Sequence, residues 1–213
     1  MPPIFHVHPV DPQPRLIRQA AGILRDGGVI AYPTDSSYAL GCHLDDASAA
    51  KRIRQIRGVG EAHHLTLVLR DLSEIGRFAR LDNWQFRIVR KSTPGCFTFV
   101  LRATREVPRR LQHPRRSTVG VRVPNHRVVQ ALLEELGEPI LSSTLILPGS
   151  TEPLNDADEI AAALDRALDL VIDAGPCPAE PTTVVDLAVK PPVVVRRGGG
   201  DPARLGLEAA PTG

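Results

Sequence analysis

Residues 29–42, VIAYPTDSSYALGC, decide how the rest of the chain is read. An apolar run from Val29 to Tyr32 stops at Pro33, and the polar turn Thr34-Asp35-Ser36-Ser37 follows. Tyr38 to Cys42 then resumes an apolar run through Gly41. Two strand-like segments joined by small hydroxyl and carboxylate residues make either a ligand-binding loop or an ordinary hairpin whose polar side chains satisfy the turn. Spacing alone leaves both open.

Outward from this loop, helical and extended segments alternate. Ile4 to Val7 is expected to be a strand, and Asp11 to cap a helix from Pro12 that stops at Gly27-Gly28. Asp45 or Asp46 caps a helix to about Arg57, whose outer faces carry Lys51, Arg52, Arg54 and Arg57. Leu65 to Leu69 reads as a strand, Asp71 and Asp82 open two short helices, and Thr93-Pro94-Gly95 ends the second. Strands follow at Phe97 to Leu101 and Thr118 to Val123, then a helix capped by Asn125 and running to Leu136, and a strand from Ile140. Asp156 caps a helix through Leu168, and strands at 170–172, 183–187 and 193–196 close the chain. The pattern predicts one α/β domain, residues 1–200, built on a twisted open mixed sheet with flanking helices. Residues 201–213 are expected to form a short mobile tail.

Composition narrows the class. At 213 residues, with 42% apolar and 23% charged side chains, the chain has globular proportions. No apolar run approaches the roughly 20 residues needed to span a bilayer, and the first residues lack the pattern of a secretory signal. Cys42, Cys96 and Cys177 are odd in number and form no CxxC pair, which fits a reduced, cytoplasmic protein. Net charge is +2, and Lys stands only at 51, 91 and 190. The remaining cations are Arg, suited to bidentate contacts with phosphate and carboxylate.

Several chemistries have no motif here. There is no GxxxxGK[ST] loop, no GxGxxG after the first strand and no GxSxG elbow. His6-x-His8 and His63-His64 have no Cys or carboxylate cluster to complete a metal site, so none is expected. Arg102, Arg105, Arg109, Arg110, Arg115, Arg116, Arg122 and Arg127 fall in one stretch against the single acid Glu106. Such a field attracts phosphates or RNA, and with few aromatics nearby it suits duplex or folded RNA better than stacked single strands. Arg109, Arg110, Arg115 and Arg116 are the candidate RNA contacts.

Five blocks in order resemble the YrdC/YciO family, which includes the YrdC-like domain of threonylcarbamoyl-AMP synthases. They are YPTDSSYALG (with Ala39 where the family has Gly), STPGCFTFVL, VGVRVPNH, PTTVVDL and VVVRRGG, and the resemblance spans about Phe5 to Gly200. It implies a YrdC-like fold around a basic concave pocket. It also implies ATP (with Mg2+), L-threonine and bicarbonate as ligands, and threonylcarbamoyl-AMP, an intermediate of tRNA modification, as product. That reaction needs no protein nucleophile, because the threonine carbamate itself attacks the α-phosphorus; alignment and charge compensation remain for the protein.

Carried over position by position, the resemblance places Thr34, Tyr38, Thr98, Ser142, Thr183 and Arg196 at the substrate and nucleotide pocket. It gives Arg57, Arg122 and Thr144 the catalytic positions. Two positions depart from the synthase pattern: Gln55 stands where the family's KxR motif has Lys, and Ile146 where SxNxxG has Asn. LSSTLILPGS resembles the YciO branch in this respect. Two functions follow: a protein with an adenine-nucleotide and threonine pocket and affinity for double-stranded RNA or tRNA that forms or acts on L-threonylcarbamoyladenylate, or a non-catalytic RNA-binding protein that keeps the basic concavity. Oligomeric state and partner proteins are not implied.

Overall fold

The structure, a computed structural model, describes residues 1–207. In chain order the elements are β1 (Ile4–His6), α1 (Pro14–Arg25), β2 (Ile30–Tyr32), β3 (Ala39–His43), α2 (Ala47–Arg57) and β4 (Thr66–Val68). Next come α3 (Leu72–Phe78), β5 (Ala79–Arg80), α4 (Asn83–Ser92), β6 (Phe97–Ala103), β7 (Thr118–Arg122) and α5 (Arg127–Leu136). Then follow β8 (Ile140–Thr144), α6 (Ala157–Ala163), β9 (Leu170–Asp173), β10 (Thr183–Asp186) and β11 (Val193–Arg196). One mixed sheet takes all the strands in the order β1-β9-β2-β3-β8-β4-β7-β6-β10-β11, with β5 beside β6. No helix among the described residues is long and apolar enough to cross a membrane.

The two faces of this sheet are treated differently, and that difference makes the site. Successive side chains on a strand point to opposite faces. One face presents Leu40, Leu67, Phe99, Leu101, Val119, Val121, Leu141 and Val185 to a single core with Ile53 of α2, Ile75 and Phe78 of α3, Val89 of α4 and Ile160 of α6. The other face is covered over only half its width. There Ile30, Tyr32, Ile140, Leu170 and Ile172 pack against Ile17, Ala21 and Leu24 of α1 and Val128, Val129 and Leu132 of α5. Over the rest of this face a cavity opens instead, and β4, β6, β7 and β8 present small and hydroxyl residues to it. Register aligns Ser142, Thr66, Gly120, Val100 and Asp186 in one row across five strands.

Gly41 of β3 permits close packing beside this floor. A Cβ there would lie 2.7 Å from the Tyr32 ring and 2.8 Å from Cγ2 of Ile140. Gly41→Ala is expected to cost about 1–3 kcal/mol through overpacking, read as a lower denaturation midpoint with an unchanged m-value.

Element order follows the sequence reading apart from β5, which it did not include, and four boundaries are corrected. α1 begins at Pro14, not Pro12, because His8 Nδ1 accepts the N–H groups of Val10 and Asp11 and holds the preceding residues in a turn. Asn125 does not cap α5; its N–H is drawn instead to the Asp35 carboxylate at 3.0 Å, and His126 stands at the cap position. α6 ends at Ala163 rather than Leu168. The first residues of the expected mobile tail are packed on the fold. Residues 202–205 form a 3-10 turn whose Leu205 is buried in the main core, with Asp201 accepting the Ala203 N–H. Residues 208–213 of the expected tail lie outside the described residues.

Candidate functional site

The loop of residues 33–38 is a scaffold for one arginine. Thr34 Oγ1 accepts the N–H groups of Ser36 (3.1 Å) and Ser37 (3.2 Å) and donates to the Ser37 carbonyl (2.7 Å). This side-chain turn fixes Asp35, which pairs with the Arg122 guanidinium while its second oxygen takes the Asn125 N–H. Arg122 also donates to Thr34 Oγ1 at 3.3 Å. Both members of the ion pair are nearly buried, their side chains 9% and 12% exposed. Arg122 Nε is buried without a hydrogen-bond partner among the described residues.

Arg122 opens into a cavity of about 330 Å³ on the uncovered half of the sheet. Its floor is Thr66, Thr98, Thr118, Gly120, Ser142 and Thr144, and its rim carries Arg57, Arg116, Arg196, His63, His64 and His113. Arg57, the last residue of α2, donates to the Thr144 carbonyl, and its Nε is also buried with no partner among the described residues. Arg196 donates to the Thr182 carbonyl from Nε (3.1 Å) and Nη2 (2.9 Å). The Thr182 hydroxyl in turn bonds that of Thr98 at 2.8 Å. Neither Arg57 nor Arg196 has a carboxylate partner among the described residues, unlike Arg122 and Arg116, which face Asp35 and Asp186.

Crowded cations leave an electrostatic trace. Burial, then the charge of Arg196, lowers the pKa of Arg57, and burial followed by Arg122 does the same to Arg196. Burial lowers that of His63, helped by Arg57 and Arg54. The repulsion between these cations, unlike their burial, is relieved by an anion placed among them. Ser142 donates to the Leu40 carbonyl at 3.0 Å, so the Tyr32 hydroxyl donates to Ser142 at 2.7 Å. Burial pushes the Tyr32 phenol up to about 12, which keeps it a neutral donor.

Strand parity corrects two of the expected site residues. Tyr38 is buried on the core face, with its hydroxyl 3.4 Å from the Gly175 carbonyl, and its neighbour Ala39 lines the cavity. Thr183 is wholly buried, donating to the Gly200 carbonyl and accepting the Gly198 N–H, so Thr182 takes the cavity position. Thr98, Arg122, Ser142, Thr144, Arg57 and Arg196 all line the cavity, while Thr34 acts through Arg122. Helix geometry corrects a third expectation. Gln55 lies two residues before Arg57, about 200° around the helix, and is exposed toward a second hollow; Ile146 does line the cavity. Sequence reasoning missed His63, His113, Thr66 and Thr182.

The basic stretch is dispersed rather than continuous. Arg116 turns into the cavity to meet Asp186 at 2.6 Å, and Arg110 donates to the Leu44 carbonyl at 3.0 Å. Arg109 lines the second hollow with Arg110, and Arg115 is exposed. The histidines of the first pair are likewise engaged individually: His6 faces Asp173, and His8 organises its turn.

The sequence model of the Sua5/YciO/YrdC family (described as telomere recombination) matches residues 22–198, and the chain belongs to this family. Within it, the chain is 51% identical to the uncharacterized protein YciO of Escherichia coli strain K12 over 201 residues, 94% of this chain and 98% of that one. The crystal structure of E. coli YciO superposes with a TM-score of 0.93 at 50% identity, covering 96% of this chain and 100% of that one. A threonylcarbamoyl-AMP synthase of Pyrococcus abyssi is 30% identical over 86% of this chain, which spans 54% of that longer protein. The P. abyssi Sua5 structure complexed with L-threonine gives a TM-score of 0.85 at 29% identity, covering 92% of this chain and 57% of that one.

Proposed function

We propose that the cavity binds L-threonine and an adenine nucleotide, and that the protein forms or acts on L-threonylcarbamoyladenylate. One observation carries this reading most directly. Arg57, Arg122 and Arg196 converge on a hydroxyl floor, two of them without carboxylate partners and two with a buried unpaired Nε. Such donors suit the carboxylate of an amino acid and the phosphate of a nucleotide. The relatedness to a threonylcarbamoyl-AMP synthase and to a Sua5 complexed with L-threonine supports the choice of ligands.

In this reading Arg122 is the positioning cation. Asp35 and Thr34 fix its guanidinium before any ligand arrives, so little ordering cost remains at binding. Arg57 and Arg196 offset charge on the phosphates, with ATP arriving as its Mg2+ complex. As the carbamate oxygen bonds to the α-phosphorus, the bond to the bridging oxygen breaks and pyrophosphate leaves. Thr98, Thr182 and Thr144 offer hydroxyls around these anions, and no side chain takes part covalently.

Arg196→Ala is expected to weaken AMP binding about 10-fold or more, as for loss of a hydrogen bond to a charged group. Calorimetry with AMP and L-threonine, alongside pyrophosphate release from ATP, L-threonine and bicarbonate, tests the proposal. Absence of both heat and pyrophosphate in the wild type would overturn it. A non-catalytic RNA-binding role is the second reading and rests on the exposed Arg109 and Arg115. It is favoured if duplex RNA binds with a steep salt dependence while AMP does not bind at all.

A further inference from the structure

Beside the cavity lies a second, larger hollow of about 880 Å³, between α2 and the loop of residues 109–117. Its cations are Lys51 and Arg54 from α2, and Arg109 and Arg110 from the loop; Glu61 is the single carboxylate among its lining residues. Arg54 donates to the His63 carbonyl and Arg110 to the Leu44 carbonyl, which fixes both guanidiniums without neutralising them. Lys51 and Arg109 form no ion pair among the described residues, so their charges are available. His64 and His113 line both hollows, their ring centroids 4.9 Å apart, and the two spaces meet at this pair.

We propose that this second hollow is a binding site for an oligophosphate chain, separate from the arginine cavity. The lining fits that chemistry in three ways. Four cations against one acid leave a net positive charge of about three, which matches several linked phosphates better than a lone carboxylate. The volume exceeds what one phosphate needs. Each wall carries one anchored guanidinium and one cation without an ion pair, which gives a fixed cradle with adjustable arms. Burial, then the charges of His113 and Arg54, lowers the pKa of His64 at the edge of this hollow. The chain is either inorganic or the terminal phosphates of a nucleotide whose other end lies beyond the histidine pair.

Calorimetric titration of the 213-residue chain with inorganic tripolyphosphate, ATP and AMP tests this and separates the two sources. Tripolyphosphate is expected to bind, and Lys51→Ala and Arg109→Ala each to weaken it about 10-fold while leaving AMP affinity within about 2-fold. Arg196→Ala should do the reverse, so failure of this site and failure of the adenylate cavity read differently. If Lys51→Ala weakens ATP as well as tripolyphosphate, the nucleotide tail is the source; if only tripolyphosphate weakens, an inorganic chain is. Absence of tripolyphosphate binding, or binding that Arg196→Ala abolishes and Lys51→Ala spares, overturns the proposal. So does duplex RNA binding that Arg109→Ala weakens when tripolyphosphate cannot compete it away, since the hollow would then serve RNA.

Discussion

Asp35→Ala is expected to destabilise the fold by about 3–5 kcal/mol and to abolish AMP and threonine binding together. The reason lies in what the substitution leaves behind. Arg122 is 8% exposed and its Nε is already unpaired, so removing the carboxylate strands a charge in a site nearly closed to water. The Asn125 N–H also loses its acceptor, and with it the entry to α5 is no longer tied to the opening loop. Asp35→Asn keeps an acceptor without the charge and should fall between wild type and alanine. The pair itself need not favour folding, because burying two charges has its own desolvation cost. The double variant Asp35→Ala/Arg122→Ala should therefore be less destabilised than the sum of the single variants. Urea denaturation of wild type, the two single alanine variants and the double variant measures this coupling. A loss below about 0.5 kcal/mol for Asp35→Ala would mean that water already reaches the pair and that Arg122 is not preorganised.

The order of strands and helices is legible because the apolar periodicities are clean and most helices carry their own caps. Asp46, Asp71 and Asp156 each accept first-turn N–H groups, as their positions suggest. The start of α1 is not legible in this way. Its place is set by the His8 ring accepting two backbone N–H groups, a role that histidine in a polar stretch does not announce. At the site, Arg57, Arg122, Thr98, Ser142, Thr144 and Arg196 are reached through resemblance to the family, and the cavity holds them all. The errors are of parity. Tyr38 against Ala39, and Thr183 against Thr182, differ by one residue, and on a strand one residue exchanges the two faces. The floor itself is readable without any resemblance: Thr98 and Val100, Thr118 and Gly120, Ser142 and Thr144 alternate with other residues at strand spacing, which marks a sheet face left without a helix. His63 and His113 carry no such signal, since long-range packing of two loops brings them to the rim.

Ile146→Asn is expected to raise pyrophosphate release from ATP, L-threonine and bicarbonate by about 10- to 100-fold. Ile146 lines the cavity, and its own N–H bonds at 3.0 Å to the Thr144 carbonyl, which also receives Arg57. An amide side chain at this position would stand beside the Arg57 guanidinium and offer a donor to a phosphate, where isoleucine offers none. A hydrogen bond to a charged group contributes about 1.5–3 kcal/mol, and if it is realised only in the transition state it appears in kcat rather than KM. Gln55→Lys provides the contrast. Its side chain is exposed toward the second hollow, so the new charge should leave AMP affinity within about 2-fold and strengthen tripolyphosphate binding instead. Steady-state kinetics and calorimetry on the two single variants distinguish the walls. Activation by Gln55→Lys with no effect of Ile146→Asn would show that phosphates lie on the α2 side, and that Ile146 faces a part of the ligand carrying no charge.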